Sequence, residues 1–371
     1  GAGIEILPSM PPSCLPAAFP GKIEIPDCGQ PFVKGTIQTE PGGIPQVTSM
    51  LTAADYLGTI KARWGIGRMN YTVSPGLYAL GTPTGKAPVL VTANYKMSFD
   101  CLRSALPGRD AWILVLDTKG VNVWCAAGKG TFGTGELVTR IGSSRLEQVV
   151  SGRQLILPQL GAPGVAAHLV RKQTGFSAVY GPVEAEDLPA FLDSDLKATK
   201  EMRQKRFPLR DRAALVPMEL IPALKWAPVI FLVAFLAGGL EKGAPFLTGV
   251  LSNGLFAAAI MAGAIIAGAV LTPLLLPWLP GRSFSIKGAV AGLLTAVLIV
   301  ISWPEPVGMG KYLPLLPVSA AFSSYLGMNF TGASTYTSLS GVKAEMKWAV
   351  PLQIIAAIVG VVGWLVALLV G

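Results

Sequence analysis

The strongest constraint on the fold is a series of five apolar stretches in the carboxyl-terminal part of the chain. A helix that crosses a bilayer needs about 20 predominantly apolar residues, and each stretch is close to that length. The chain is 51% hydrophobic and 14% charged, which fits a soluble domain joined to a membrane domain better than one globular domain. We therefore predict an all-α transmembrane domain at 220–371, with helices at about 220–240, 245–271, 286–303, 313–330 and 348–370.

Basic residues are distributed unequally between the two sides of these predicted helices. A basic run, Lys197–Arg212, precedes the first helix, and we interpret the segment 201–219 as a juxtamembrane linker. The positive-inside rule predicts a multi-pass protein of the cytoplasmic (inner) membrane, with the amino-terminal domain in the cytoplasm and the carboxyl terminus outside. We therefore interpret the net charge of +9 as a sign of interaction with membrane lipid. No recognition motif or aromatic–basic interleaving indicates binding to nucleic acid.

The predicted helices contain no carboxylate or histidine, groups that a proton or ion pathway normally needs. Small residues are dense in Phe256–Ala269, a pattern that favours close helix packing. An anchor or assembly domain is therefore favoured over a transporter with a regulatory nucleotide-binding domain, which remains an alternative.

Before these helices, continuous apolar runs alternate with helical patterns. This alternation predicts an α/β domain at 51–200 with a doubly wound, Rossmann-like parallel sheet, in which ligands bind beyond the carboxyl ends of the strands. Residues 1–50, rich in Pro and Gly, are interpreted as an irregular arm. The predicted strands are Ala87–Tyr95, Ala111–Asp117, Val121–Cys125, Arg153–Pro158 and Phe176–Val183, and the predicted helices are Gly135–Ser144, Pro163–Gly175 and Ala185–Ser194.

The four cysteines, Cys14, Cys28, Cys101 and Cys125, show no C-x-x-C spacing. We therefore expect no iron–sulfur cluster or zinc site built from this chain alone. The first 20 residues lack the charged-then-apolar pattern of a signal peptide, which favours free thiols in a reducing cytoplasm.

The stretch Val121–Gly133, VNVWCAAGKGTFG, is the most informative motif. Its glycines have the spacing of a dinucleotide fingerprint, but the acidic residue expected about 20 positions later is missing. It also fails as a P-loop, because Gly130 stands where Ser or Thr is required. A nucleophilic Cys125 would need a histidine base, and the single histidine, His168, is better interpreted as structural. Cys125 remains as a candidate ligand, followed by small residues that leave room for a flat cofactor.

The segment Asn122–Lys129, NVWCAAGK, resembles the signature of the mercury-methylating corrinoid proteins, the HgcA family. The flanking segments Pro88–Asp100, Ala111–Thr134 and Arg153–Leu192 resemble that family as well. More distantly, the same region is similar to the large subunit of the corrinoid iron–sulfur protein of the acetyl-CoA pathway. The likeness extends from about Arg63 to the carboxyl terminus, and five membrane helices fit the HgcA layout.

The resemblance implies a cobalamin-type corrinoid bound between the α/β domain and a cap helix. Cys125 would be the catalytic residue and the lower axial ligand of the cobalt. Asn122 would hold the turn or form a hydrogen bond in the region of the thiolate. Trp124 would pack at the corrin edge, and the alternative for Trp124 is simple packing in the protein core. The other cofactor-binding candidates are Val123, Ala126, Ala127, Gly128 and Lys129 beside Cys125, and Thr92 and Asn94 at the end of another strand.

The resemblance also implies an anaerobic methyltransferase that passes a methyl group from the Cys-ligated cobalt corrinoid to inorganic Hg(II), giving methylmercury. The transfer as a carbanion equivalent and the transfer as a radical both stay open. The alternative is a membrane-bound corrinoid methyl carrier in one-carbon metabolism like that of the acetyl-CoA pathway. The implied partners are a ferredoxin-like protein with two [4Fe–4S] clusters, of the HgcB type, as reductant, and a methyl-donor methyltransferase.

Overall fold

The computed structural model describes residues 23–304, 308–330 and 339–370. The chain divides into two compact units, Gly1–Ala62 with Gly67–Lys205 and Arg63–Ile66 with Arg206–Gly371. We call them the sheet unit and the helical unit. Cys14, predicted to be a free thiol, lies outside the described residues.

Among the described residues of the sheet unit, seven strands form one mixed sheet in the spatial order β1-β2-β3-β5-β4-β6-β7. The pairs β1–β2 and β3–β5 are antiparallel, and the other neighbouring pairs are parallel. The α/β prediction is confirmed, but the expectation of a wholly parallel sheet is wrong. The strands are β1 Val33–Thr39, β2 Gly42–Val47, β3 Gly76–Leu80, β4 Val89–Ala93, β5 Ala111–Leu116, β6 Gln154–Leu157 and β7 Ser177–Tyr180.

Residues 1–22 of the predicted irregular arm at 1–50 lie outside the described residues, and the first two strands correct the prediction for residues 33–47. β1 and β2 form a hairpin at one end of the sheet, and β2 extends the sheet by pairing with β3. Their sequences, VKGTIQT and GGIPQV, hold glycine and proline, which are depleted in strands. The half-exposed side chains of β1 also give no continuous apolar run, so the sequence pattern did not reveal these strands.

Helices cover both faces of the sheet. Leu137 and Val170 pack in one buried cluster with Leu114, whereas Phe99 and Phe191 pack in a second cluster. Each face of the sheet therefore has its own apolar core, as layered α/β domains require. The helices are α1 Ala53–Arg63, α2 Lys96–Ser104, α3 Val123–Lys129, α4 Thr134–Ser143, α5 Leu146–Val149, α6 Ala167–Thr174 and α7 Leu188–Asp193, with short 3-10 segments at Arg68–Asn70, Gln159–Gly164, Ala185–Asp187 and Glu201–Arg203.

A buried cluster of four charges joins α1 to α2. Lys96 Nζ lies 2.7 Å from Asp55 Oδ1 and 2.5 Å from Asp100 Oδ2. Arg103 lies 2.9 Å from Asp55 and 2.7 Å from Asp100, and it also donates to the backbone oxygen of Thr48 at 2.9 Å. The two positive and two negative charges balance, which is the condition under which buried ions are tolerated.

Acid is expected to destabilise the sheet unit through Asp55. Burial alone would raise the pKa of Asp55, but hydrogen bonds from Lys96 and Thr52 and the charge of Lys96 hold it well below its usual range. A carboxyl with a lowered folded pKa stabilises the fold above its unfolded pKa of about 4, and this stabilisation is lost as the pH falls below that value towards the folded pKa.

The melting temperature of the full chain in detergent micelles should therefore fall as the pH drops from about 5 to about 3. Asp55→Asn lacks the titrating group and should show a smaller fall over the same interval. An equal fall in that variant would contradict the assignment to Asp55.

The described part of the helical unit contains four helices that are long and apolar enough to cross a membrane: Leu209–Gly238, Phe246–Leu274, Phe284–Ser302 and Gly341–Val370. The first begins inside the predicted linker 201–219. We label the helices α8 Leu209–Gly238, α9 Phe246–Leu274 (with π-helical turns at Val250–Gly254 and Ala267–Leu271), α10 Phe284–Ser302, α11 Met309–Tyr312, α12 Leu315–Asn329 and α13 Leu339–Val370.

The predicted membrane helix at 313–330 corresponds to α12, which has only 15 residues. At 1.5 Å per residue α12 is about 22 Å long, shorter than the hydrocarbon core of about 30 Å. The predicted count of five is therefore reduced to four candidates of sufficient length. An even number of crossings would return the chain to its starting side, so the predicted outside position of the carboxyl terminus requires α12 to cross as well.

Small residues bring α9, α10 and α12 together, as the density of small residues predicts. A Cβ atom on Gly292 would lie 2.5 Å from Ser323 Cβ, and one on Gly268 would lie 2.7 Å from Leu326 Cβ. Ser323 Oγ donates to the backbone oxygen of Gly288 at 2.7 Å, and Ser319 Oγ donates to that of Gly292 at 3.0 Å. Close backbone approach and interhelical hydrogen bonds of this kind stabilise helix association in a bilayer.

Candidate functional site

The candidate site lies where the parallel strands β4 and β5 end. Asn94 follows β4, and a loop at 117–122 connects β5 to α3. Asn94 Oδ1 accepts hydrogen bonds from the backbone N–H of Thr118 at 3.1 Å, from the Thr118 hydroxyl at 2.8 Å and from the backbone N–H of Gly120 at 3.0 Å. A single buried side chain therefore fixes the loop that leads into the cysteine motif.

Further contacts hold this loop in one conformation. The Thr118 hydroxyl donates to the backbone oxygen of Val121 at 2.6 Å. Gly120 has a φ of +71°, and a Cβ atom there would lie 2.9 Å from Thr72 Cγ2. Position 120 therefore requires glycine for both its backbone conformation and its space.

Asn122 starts helix α3. Its Oδ1 accepts a hydrogen bond from the backbone N–H of Cys125 at 2.9 Å, the usual geometry of an asparagine N-cap. The prediction that Val121–Cys125 is a strand is wrong, because this cap starts a helix at Val123. Cys125 lies in the first turn of that helix and not at the end of a strand. The prediction failed because a short apolar run alone does not distinguish a strand from a buried helix segment.

One face of α3 is exposed and the other is buried. Val123, Ala126 and Ala127 pack into the core, whereas Trp124, Cys125, Gly128 and Lys129 are exposed. Trp124 is 42% exposed, so the alternative of simple core packing for this residue is wrong.

Gly128 stands one helical turn beyond Trp124 and Cys125. A Cβ atom added to Gly128 would meet no atom within 4 Å, so the space above this position is open. An exposed thiol next to an open, side-chain-free position can accept a flat ligand, which would then contact the helix backbone. These residues fit the corrinoid that the resemblance implies, with the Cys125 sulfur as a soft ligand.

The buried face of α3 packs against Gln159–Gly164. A Cβ atom on Gly164 would lie 2.0 Å from the backbone oxygen of Phe132 and 3.2 Å from Ala127 Cα, and one on Gly161 would lie 2.5 Å from the Phe132 ring. These glycines position α3, but neither was predicted as a site residue. The segment LGAPG after the predicted strand Arg153–Pro158 was the available signal.

Charges near the loop are paired. Lys119 Nζ lies 2.5 Å from Asp117 Oδ2, and the backbone N–H of Asp117 donates to Glu136 at 2.8 Å. Burial alone would raise the pKa of Asp117, but hydrogen bonds from the Lys119 side chain and backbone, with the charges of Lys119 and Arg140, lower it. Asp117 is therefore a carboxylate at neutral pH.

The predicted site residues form two groups in the structure, one on α3 and one at the end of β4. Asn122–Lys129 lie on α3 or at its start, with their exposed members on one face. Asn94 is only 6% exposed and bonds to the loop, and Thr92 is 3% exposed within β4. Their assignment to the corrin amides stays a prediction, and the role visible for Asn94 is to position the loop.

The predicted helix Pro163–Gly175 is shorter in the structure, where α6 begins at Ala167, so that His168 is its second residue, and this residue is exposed. Within the described residues, no group of three or more His, Cys, Asp or Glu side chains is arranged to hold a metal ion. Among those residues Cys125 is therefore not part of such a group.

Asn122→Ala is expected to destabilise the sheet unit by about 1 kcal/mol, because the N-cap hydrogen bond to Cys125 is lost. Asn122→Asp retains an acceptor oxygen and should stay close to the wild type. Denaturant unfolding of the full chain in micelles measures both variants. Equal stability of Asn122→Ala and the wild type would show that the cap contributes nothing.

Comparison with known proteins gives matches to part of the chain. Residues 63–192 match the family described as CO dehydrogenase/acetyl-CoA synthase delta subunit. The acetyl-CoA decarbonylase/synthase complex subunit gamma of Methanopyrus kandleri is 35% identical over 126 residues, which are 33% of this chain and 27% of that protein. The corresponding subunit of Archaeoglobus fulgidus is 29% identical over 142 residues, 37% of this chain and 30% of that protein.

The chain thus spans less than a third of the length of these curated relatives. The family match includes β4, α3 and Gln159–Gly164, so it contains the candidate site. It does not extend to α8–α13. The likeness therefore supports the distant resemblance to the corrinoid iron–sulfur protein, and the family match ends before α8.

Proposed function

We propose that this protein carries a methyl group on a corrinoid bound at the exposed face of α3, with the Cys125 sulfur directed at the cobalt. The observation that carries the proposal is the exposed thiol of Cys125 beside the open space above Gly128. The resemblance of Asn122–Lys129 to a corrinoid-binding signature supports the choice of ligand.

The comparisons favour a role in one-carbon metabolism. The relatives are named as subunits of acetyl-CoA decarbonylase/synthase, and the part of this chain that matches the family model, residues 63–192, contains the candidate site. The function best supported is therefore that of a membrane-anchored corrinoid methyl carrier, which receives a methyl group from a methyltransferase and delivers it to an acceptor.

Inorganic Hg(II) is the second candidate acceptor. The observation that favours it is Cys125 itself, because the corresponding segment of the corrinoid iron–sulfur protein reads W-A-A-G-K, whereas this chain has NVWCAAGK. A thiolate is a strongly donating ligand, and the identity of the axial ligand is a principal control on the reactivity of a macrocyclic metal. Delivery of the methyl group to a soft metal ion is the step that such a ligand would favour.

A bound corrinoid supplies the cobalt that accepts and releases the methyl group. Cys125 would hold the cobalt, and the Asn122 cap keeps the Cys125 backbone in place. The loop at 117–122, fixed by Asn94, sets the position of the whole turn. A ferredoxin-like reductant with two [4Fe–4S] clusters and a methyl-donor methyltransferase are the proposed partners.

Absorption spectroscopy of the full chain reconstituted with methylcobalamin tests the ligand assignment. We expect the wild type and Cys28→Ala to show a thiolate-ligated spectrum that is absent from Cys125→Ala. Cys28 is a suitable control because it is also an exposed free cysteine. Identical spectra for all three proteins would exclude Cys125 as the ligand.

A separate experiment distinguishes the two acceptors. The chain loaded with an isotopically labelled methyl group is offered either Hg(II) or an acetyl-CoA decarbonylase/synthase complex that lacks its gamma subunit. The second mixture also contains CO and coenzyme A, which supply the carbonyl group and the thiol of acetyl-CoA. Labelled acetyl-CoA would support the carrier function, and labelled methylmercury without acetyl-CoA would support the mercury function. Transfer to neither acceptor by a chain with a normal thiolate spectrum would contradict both.

Gly128→Leu is expected to weaken corrinoid binding by roughly tenfold to a hundredfold, because overpacking a contact costs about 1–3 kcal/mol. The free protein should keep its stability, since the added side chain meets no atom within 4 Å at its Cβ. Titration with methylcobalamin measures the affinity. Gly152→Leu is the control, because that glycine also has open space around it and lies outside α3. Unchanged affinity in Gly128→Leu would place the corrinoid elsewhere.

A further inference from the structure

Helix α1 exposes its large apolar side chains and buries small or charged ones. Tyr56 is 59% exposed, Leu57 52% and Ile60 54%. The buried residues of this helix are Asp55 and Ala62. This arrangement is the reverse of that in an ordinary surface helix, whose apolar stripe faces the core.

The reversed orientation is fixed by specific contacts. A Cβ atom on Gly58 would lie 2.6 Å from the Tyr71 hydroxyl oxygen, so the helix backbone lies close against Tyr71. Tyr71 also donates a hydrogen bond to the backbone oxygen of Asp55 at 3.1 Å. The Asp55 carboxylate is held by Lys96 and Arg103. Because these contacts fix which face of α1 is buried, Tyr56, Leu57 and Ile60 lie on the exposed face.

Basic residues border this apolar face. At 100° per residue, Tyr56, Ile60 and Leu57 span about 100° of the helix, with Arg63 just beyond Tyr56 and Lys61 just beyond Leu57. Lys61 is exposed and Arg63 half-buried. Asp55 is the one carboxylate among residues 51–70, and it is buried. The surface of α1 is therefore apolar and basic, without an exposed negative charge.

A further exposed apolar side chain of the sheet unit follows α1 in sequence, since Met69 is 71% exposed. A Cβ atom on Gly120 would lie 3.2 Å from the backbone oxygen of Met69. The segment after α1 therefore borders the loop that leads to Cys125, at the same edge of the sheet.

We propose that the exposed face of α1 lies in the headgroup region of an anionic lipid bilayer. Helices of this kind insert an apolar face that carries aromatic and aliphatic residues, while flanking Lys and Arg side chains bind anionic headgroups. The charge of the α1 surface fits such lipids, and the described part of the chain has four helices suited to span a membrane. This inference is independent of the methyl acceptor.

Photocrosslinking of the full chain in lipid nanodiscs tests the proposal. Ile60→p-benzoylphenylalanine is compared with Leu169→p-benzoylphenylalanine, a position on α6 that is 38% exposed. In nanodiscs of phosphatidylcholine with phosphatidylglycerol, we expect at least about tenfold more lipid adduct from position 60. Equal yields at both positions, or adducts from position 60 to a second protein chain, would overturn the proposal.

A charge-reversal variant gives a second readout. Lys61→Glu combined with Arg63→Glu should lower the lipid adduct from position 60 by at least about fivefold, whereas Lys61→Arg with Arg63→Lys should leave it unchanged. Removing phosphatidylglycerol should have the same effect as the charge reversal. Hydrogen exchange of β4 should stay the same in both variants, so that misfolding is separated from lost lipid contact. Adduct yields insensitive to charge would contradict the role of anionic lipid.

Discussion

Cys125→Ala is expected to lower methyl transfer by the reconstituted full chain at least about 100-fold, because loss of a direct ligand should exceed the loss caused by mutating the residues that merely orient one. The fold should remain intact, because the Cys125 side chain is exposed and contributes little to the core. The hydrogen bond to Asn122 is made by the backbone N–H of position 125, which alanine retains. Release of a labelled methyl group to Hg(II) or to the acetyl-CoA-forming complex measures the rate.

Two further variants distinguish the effect of the Cys125 sulfur as a ligand from the effect of the side-chain volume at position 125. Cys125→Ser has a similar volume but a much poorer donor for cobalt, so it should be nearly as inactive as Cys125→Ala. Cys28→Ala should keep the rate of the wild type. A Cys125→Ser variant with wild-type activity would show that the size of residue 125 matters and its sulfur does not.

The fully buried strands β4 and β5 were predictable from sequence, whereas β1 and β2 were not. β4 and β5 are buried at every residue, so each is a continuous apolar run. β1 is half-exposed throughout, and β2 contains Pro45 and two glycines. These two strands are defined by their pairing with each other and with β3, which local sequence does not reveal.

The residue types of the site were predictable, but the position of Cys125 within its element was not. The choice between strand and helix at Val121–Cys125 depends on the Asn122 cap, a contact between a side chain and the backbone three residues later. Asn94 illustrates a second limit. Its three bonds to Thr118 and Gly120 span 24 to 26 residues of sequence, so its role in positioning the loop becomes visible only in the fold.

Among the described residues of the helical unit, hydropathy located the long apolar helices and α12, but it did not give their lengths. α12 is preceded by Pro314 and begins at Leu315, within an apolar stretch that continues on both sides of its start. Its 15 residues are packed against α10 through serine and glycine contacts. Whether an apolar stretch spans a membrane therefore depends on where its helix begins and ends, which hydropathy does not determine.

Asp100→Ala is expected to destabilise the sheet unit by about 3–5 kcal/mol, because it leaves Lys96 and Arg103 buried with one carboxylate between them. Hydrogen exchange of the full chain in micelles should then accelerate at β4 by roughly two to three and a half orders of magnitude, at tenfold for each 1.4 kcal/mol. Asp193→Ala is the matched control. Asp193 pairs with Arg109 at 2.6 Å, but the two side chains are 62% and 37% exposed, so its loss should leave exchange at β4 close to that of the wild type.

The same experiment distinguishes a general loss of stability from the release of α1. Asp55 and Ala62 are the buried residues of α1, so the charged cluster is the main attachment of this helix to the sheet unit. In Asp100→Ala, amides of α1 should therefore exchange faster than those of β4. Lys96→Met combined with Asp100→Leu restores the charge balance and should recover part of the lost stability. If α1 exchanged no faster than β4 in Asp100→Ala, other contacts would hold the helix, and the cluster would not be what directs Tyr56, Leu57 and Ile60 outward.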